Sequence, residues 1–232
     1  MVIDKGIGCL QLKDVLATAN SHMQFWKFGF GTSCLYSPEI LLEKNQLLQQ
    51  YGITSFPGGT LFEAAYTKDL MDRFFYDLAA YQFTAVEISD GTIDIPQSDR
   101  KRYIGEAKRQ NLLVFSEIGK KNETGFQNML ETVKADLDCG ADYVILEGRE
   151  SGTSGLYTKE GEISTDILDT FANDSDLLPY IIWEAPCKEQ QAILINFFGA
   201  CVNLGNVAAN DIIALAALRR GLRSDTFKKF LS

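Results

Sequence analysis

Eight short apolar runs recur along the 232-residue chain, and the spacing between them constrains the fold more than any other feature. They are MVID (1–4), FWKFG (25–29), ITSFPGG (53–59), AVEISD (85–90), LVFSEIG (113–119), YVILEG (143–148), YIIWEAP (180–186) and CVNLGN (201–206). Each is rich in Val, Ile, Phe or Tyr and is followed by a longer amphipathic stretch, the pattern of βα units and a parallel sheet. One such stretch, SPEILLEKNQLLQQYG, sets Ser37 as N-cap, Pro38 at the first helical position and Gly52 as a stop. Lys27, Pro57, Glu87, Glu117 and Glu147 fall 30 residues apart, the length of one strand, loop and helix. Eight such units predict an α/β fold, a (β/α)8 TIM barrel, with residues 1–232 forming a single domain. A doubly wound open sheet is the competing topology.

Composition narrows the function classes. The chain is 46% hydrophobic and 23% charged, and no apolar run nears the roughly 20 residues that span a bilayer. No membrane partner is expected. MVIDKGIG lacks a basic flank followed by a long apolar core, so no secretory signal is read and a cytoplasmic location is expected. The five cysteines are odd in number and form no C-x-x-C pair, which argues for reduced thiols and against a structural zinc. A net charge of −9 disfavours nucleic acid. A small anionic substrate then requires cations gathered locally, and a homo-oligomer is compatible with everything above.

In a (β/α)8 barrel the active site lies at the C-terminal ends of the strands. Those ends carry Asp4 and Lys5; Lys27; Gly58 and Gly59; Glu87 and Asp90; Glu117, Lys120 and Lys121; Glu147, Arg149 and Glu150; Glu184; Asn203 and Asn206. Four glutamates close four successive runs, and a carboxylate at the mouth of an apolar barrel is costly unless paired or bound to a cation. Oxygen ligands without His or Cys suit Mg²⁺, which takes one or two carboxylates with waters and substrate oxygens. The competing reading is a ring of ion pairs that closes the barrel. Lys5, Lys27, Lys120, Lys121 and Arg149 form the local cationic set. Arg149 offers a fork for phosphate or carboxylate, and a partly desolvated lysine either binds an anion or transfers a proton. PGGT and NLGN let backbone N–H groups approach an anion.

Other residues are read as structural. His22 lies before the second run, and Trp26 and Trp183 alternate with Lys27 and Glu184, so both indoles face the helices. Arg219, Arg220 and Arg223 end the last helix on the opposite face of the barrel. No Gly-x-Ser-x-Gly, Walker or dinucleotide fingerprint follows any run.

Taken together, KFGFGTS (27–33), PGGTLFE (57–63), AVEISDGT (85–92), SEIGKK (116–121), GADYVILEGRESG (140–152), EAPCKEQQ (184–191), VNLGNV (202–207) and LRRGLRSDTF (218–227) resemble the phosphosulfolactate synthase family across essentially the whole chain. The resemblance implies a (β/α)8 barrel and Mg²⁺-dependent addition of sulfite to phosphoenolpyruvate, giving (2R)-phospho-3-sulfolactate on a route to coenzyme M or sulfolactate. It points to Lys121 as general acid, with Lys120 as the substitute because strand alternation aims only one of them inward. It makes Glu117, Glu147 and Glu184 candidate metal ligands, with Glu87, Asp90, Glu150 and Asn203 in support. Lys27, Arg149, Lys5, Gly205 and Asn206 are the candidates for holding the substrate anions. The chain opens directly on its first run, and the stretch after Lys121 is shorter than in archaeal members; the first bears on the barrel floor, the second on a lid. The alternatives are the same barrel and metal with another enol-phosphate or anion, and a silent stress or scaffold homologue.

Overall fold

Runs that are apolar on both faces have to be covered on both faces, and here the chain wraps them into a barrel ringed by helices. The computed structural model describes residues 1–119, 126–148, 156–157 and 162–230. The strands are β1 (Val2–Asp4), β2 (Phe25–Phe28), β3 (Thr54–Pro57), β4 (Ala85–Ser89), β5 (Leu113–Ile118), β6 (Tyr143–Leu146), β7 (Ile181–Glu184), β8 (Leu204–Gly205) and β9 (Val207–Ala208). The helices among them are α1 (Cys9–Ala19), α2 (Pro38–Gln50), α3 (Gly59–Thr67), α4 (Met71–Ala80), α5 (Gln97–Arg109), α6 (Phe126–Asp138), α7 (Thr165–Ala172), α8 (Lys188–Phe198), α9 (Ile212–Arg219) and α10 (Ser224–Phe230). All strand pairs are parallel, in the orders β3-β2-β1-β9 and β4-β5-β6-β7-β8.

Two seams close the ring. Between β3 and β4 the backbone N–H of Thr84 donates to the carbonyl of Ser55 at 3.2 Å. At the other seam the eighth strand is split: β8 pairs with β7, β9 pairs with β1, and Asn206 stands between them at φ 54°. The sequence reading ended the eighth run at Asn206, whereas the paired residues are 204–205 and 207–208. The polar Asn206 is a left-handed kink inside the strand, a conformation asparagine tolerates better than most residues. Asn203 therefore precedes the strand, at the end of the barrel away from the mouth.

Alternation sorts the side chains. Phe25, Phe56, Ala85, Phe115, Ile145 and Ile182 fill the barrel interior, with Phe56 stacked on Phe115 at 4.3 Å. Two residues further along their strands, Lys27, Glu87, Glu117, Glu147 and Glu184 carry the same inward parity. Trp26 and Trp183, one residue off that parity, are fully buried against the helices as expected. The 30-residue beat also has a structural cause. Glu87 pairs in register with Phe115 and Glu117 with Ile145, so each glutamate stands two residues beyond its neighbour's partner, the stagger a closed barrel requires.

The helix predicted after Ser37 forms as read, with Ser37 accepting from the Ile40 N–H at 3.4 Å and Gly52 at φ 69° beyond its end. Asp4 is a correction. It has outward parity and is fully buried under α2, where Lys44 Nζ lies 2.5 Å from Oδ2 and Trp26 Nε1 donates to the same oxygen at 3.1 Å. Its strand is too short for the last residue to emerge at the mouth.

Candidate active site

At the C-terminal ends of the strands lies a cavity of about 470 Å³ whose lining includes Lys27, Glu63, Glu87, Ser89, Glu117, Glu147, Glu184 and Asn206, together with Gly58, Gly59 and Phe30. Lys27 is at its centre. Its Nζ is 2.9 Å from Glu87 Oε2, 3.1 Å from Glu117 Oε2 and 3.2 Å from Glu184 Oε1. Each of these carboxylates turns its other oxygen to a second donor: Glu87 Oε1 to the Gly59 N–H (2.7 Å), Glu117 Oε1 to Ser89 Oγ (3.1 Å) and Glu184 Oε2 to the Gly148 N–H (3.0 Å).

This geometry explains two of the glycines. A Cβ on Gly59 would lie 2.3 Å from Ser89 Cβ, and one on Gly148 would lie 2.4 Å from the Glu184 carbonyl oxygen. Only glycine brings those N–H groups to the carboxylates. The N–H of Gly59, read from the sequence as a cradle for an outside anion, serves Glu87 instead.

One ammonium cannot neutralise three buried carboxylates. Burial alone would lower Lys27, but Glu87, Glu117 and Glu184 overcome it and hold the ammonium well above its ordinary value. Burial raises Glu87 well above the carboxylate range, and burial likewise raises Glu184. Burial pushes Glu117 the same way, yet Lys27 and hydrogen bonds from Glu87 and Ser89 outweigh it and bring Glu117 below its ordinary value. Glu117 is thus pushed towards its charged form, and Glu87 and Glu184 away from it.

Glu147 and Glu117 face the same side of the cavity: a Cβ built on Gly91 would lie 3.4 Å from Glu117 Oε1 and 3.8 Å from Glu147 Oε2. Among the described residues no three His, Cys, Asp or Glu side chains converge as a ready-made metal cage. The excess of negative charge and the Glu117–Glu147 pair nonetheless fit a hard divalent cation, which uses one or two carboxylates and completes its shell with water and substrate.

The family model for (2R)-phospho-3-sulfolactate synthase (ComA) matches residues 1–225. The chain belongs to that family. A phosphosulfolactate synthase from Methanocaldococcus jannaschii is 43% identical over 99% of this chain and 93% of its own length. One from Bacillus subtilis is 36% identical over 98% and 91%. Among solved structures, 3-keto-L-gulonate-6-phosphate decarboxylase from Vibrio cholerae aligns with a TM-score of 0.59 at 13% identity over 100% of this chain and 97% of its own. A 3-hexulose-6-phosphate synthase aligns at 0.56 and 15% over 94% and 96%. These two share the barrel fold with the phosphosulfolactate synthase family.

The residues singled out in this phosphosulfolactate synthase family sequence fall into three groups. Lys27, Glu87, Glu117, Glu147, Glu184 and Asn206 line the cavity. Lys120, Lys121, Arg149 and Glu150 lie outside the described residues. The rest stand elsewhere. Lys5 is exposed, its Nζ 5.9 Å from the Phe30 ring centroid, and Asp90 turns to Arg100 NH1 at 3.3 Å. Gly205 packs inside the barrel, where a Cβ would meet Met1 Cε at 2.8 Å and Ile182 Cγ2 at 3.0 Å, so its place in an anion-binding turn is corrected. Asn203, donating to the Pro179 carbonyl at 2.9 Å, borders a separate cavity with His22 and Arg219 at the opposite end.

Three contributors were missed. Glu63 of α3 accepts from the Thr92 N–H at 2.8 Å and lines the cavity. It sits four residues after Gly59, on the same helical face, a spacing that could have found it. Ser89 has the parity of Glu87 two residues on, so alternation alone points it inward. Arg100 of α5 approaches from outside the wall, donating to the Glu117 carbonyl at 2.9 Å while bound to Asp136, and no local pattern announces it.

Proposed function

We infer that the chain catalyses Mg²⁺-dependent addition of sulfite to phosphoenolpyruvate, forming (2R)-phospho-3-sulfolactate, a carbon–sulfur lyase reaction run in the synthetic direction. The observation that carries this reading is the full-length family match on a barrel whose mouth gathers one buried lysine and a surplus of carboxylates. In the reaction a sulfur lone pair forms the C–S bond at the methylene carbon. The C=C pair moves into the carboxylate as an enediolate, and a proton is delivered to the adjacent carbon.

Glu117 and Glu147 would hold the Mg²⁺, whose charge stabilises the developing enediolate. Glu184, proposed with them from the sequence, has one oxygen on Lys27 and the other fixed by the Gly148 backbone N–H, whereas Glu117 Oε1 is held by the rotatable Ser89 hydroxyl and faces Gly91 beside Glu147, so Glu184 is the better suited to fixing Lys27. Held protonated, Lys27 offsets part of the charge of the three carboxylates around it, and Mg²⁺ would supply the remaining positive charge that an anionic substrate requires. Lys121, or Lys120 in its place, is the proposed proton donor, and Arg149 the fork for phosphate or carboxylate. The set operates in the cytoplasm in this reading; no helix among the described residues is long and apolar enough to cross a membrane.

The test is turnover of phosphoenolpyruvate and sulfite with Mg²⁺, followed by phosphorus NMR with and without a chelator. A phosphosulfolactate signal that requires all three components supports the reading. Folded protein that yields none overturns it.

A further inference from the structure

The turn that follows β2 is built in an unfavourable way, and the mouth of the cavity offers the reason. Phe30 has φ 54° and ψ 27°, a left-handed conformation that a bulky side chain pays for in steric strain. The residue is also 51% exposed, so burial does not compensate. The turn is held in place: Thr32 Oγ1 donates to the Gly29 carbonyl at 2.8 Å, and the Leu35 N–H donates to the Thr32 carbonyl at 2.9 Å. Gly29 lies against Ile3, where a Cβ would come within 2.8 Å of the isoleucine side chain, and Gly31 has none. The ring of Phe30 is therefore what the turn projects, and Phe30 lines the same cavity as Lys27, with Lys5 Nζ 5.9 Å from the ring centroid.

We propose that Phe30 is a substrate-contacting residue whose ring packs over the enol-phosphate and keeps bulk water from the carbon that receives the proton. The proposal rests on the sulfite-addition reading. An enediolate open to solvent takes its proton from water on either face, whereas one covered on one side takes it only from the positioned donor. Contact with substrate then covers the exposed ring, and the strained backbone holds it in position, a pattern expected where a residue is placed for function.

Phe30→Gly separates this role from a structural one, because glycine adopts the same φ without strain. Expected is a thermal midpoint equal to or above that of the parent protein, kcat/KM lower by about tenfold or more, and a product that is no longer a single enantiomer. Phe30→Tyr, which keeps the ring, should retain activity and stereochemical purity. A Phe30→Gly protein with parental kcat/KM and enantiopure product overturns the proposal, as does a midpoint that falls together with the activity, which would make the ring a packing residue. A parent protein inactive towards phosphoenolpyruvate and sulfite sinks the underlying reading and Phe30's role with it; an active parent beside an unaffected Phe30→Gly sinks the role alone.

Discussion

Lys27 Nζ lies 2.9 Å from Glu87 Oε2 with both side chains almost sealed from solvent, at 8% and 1% exposure. A lysine so buried among carboxylates is costly to remove, since Glu117, which it holds towards the charged form, is then left without its cation. Lys27→Met leaves Glu87, Glu117 and Glu184 facing one another. It should cost about 3–5 kcal/mol, a midpoint fall of roughly 6–20 °C for a chain of this size. Differential scanning calorimetry reads it directly, and a change under 2 °C would show that the carboxylates simply protonate.

The glycines that admit carboxylates can be distinguished from those that merely sit in helices. Gly59→Ala drives a methyl into Ser89 and should destabilise by about 1–3 kcal/mol, with activity falling further because Glu87 loses its backbone donor. Gly105, inside α5, has nothing within 4 Å of a built Cβ. Gly105→Ala should stabilise by about 0.5–1 kcal/mol. Urea midpoints of the two variants should therefore move in opposite directions.

Metal dependence has a graded expectation. Glu117→Gln and Glu147→Gln should each weaken Mg²⁺ binding by at least the roughly 10- to 100-fold that loss of an outer-shell partner costs a metal site. Glu184→Gln should weaken it far less, because the Gly148 backbone N–H fixes its second oxygen, whereas Glu117 Oε1 faces Gly91 beside Glu147. Titration calorimetry with Mg²⁺, or paramagnetic resonance with Mn²⁺, ranks the three, and an equal loss for Glu184→Gln would restore it to the ligand set.

Arg100 offers a test from outside the barrel. Its guanidinium holds Asp136 at 2.7 Å, Ser116 Oγ at 2.6 Å and the Glu117 carbonyl at 2.9 Å. Arg100→Lys keeps a charge for Asp136 but loses the planar fork. Lower kcat with a small change in midpoint is expected, and Arg100→Met should add a loss of about 3–5 kcal/mol by stranding Asp136. If kcat for Arg100→Lys matches the parent, the carbonyl contact does not position Glu117.

Much of this architecture can be read from the sequence, and the exceptions have physical causes. The repeat of apolar runs carries the barrel, and strand alternation places Lys27, Glu87, Glu117 and Glu184 on one inner surface because a period of two is rigid once a strand is located. Errors arose where strands were short or broken. Asp4 ends a three-residue strand and is drawn outward to Lys44, a partner 40 residues away that no local pattern names. Asn203 was misplaced because the kink at Asn206 looks like an ending. Glu63 and Arg100 come from helices, where a rule confined to strand ends does not look.

The split eighth strand also bears on how the molecule is made. β1 pairs with β9 through Val2 and Val207, so one edge of the first strand stays open until nearly the whole chain exists. During synthesis that edge is an unpaired template beside apolar side chains, the kind of surface that invites misassembly. Ring closure is thus a late and long-range event, and the residues on either side of Asn206 act as the clasp, taking hold of the newest strand with one hand and the oldest with the other.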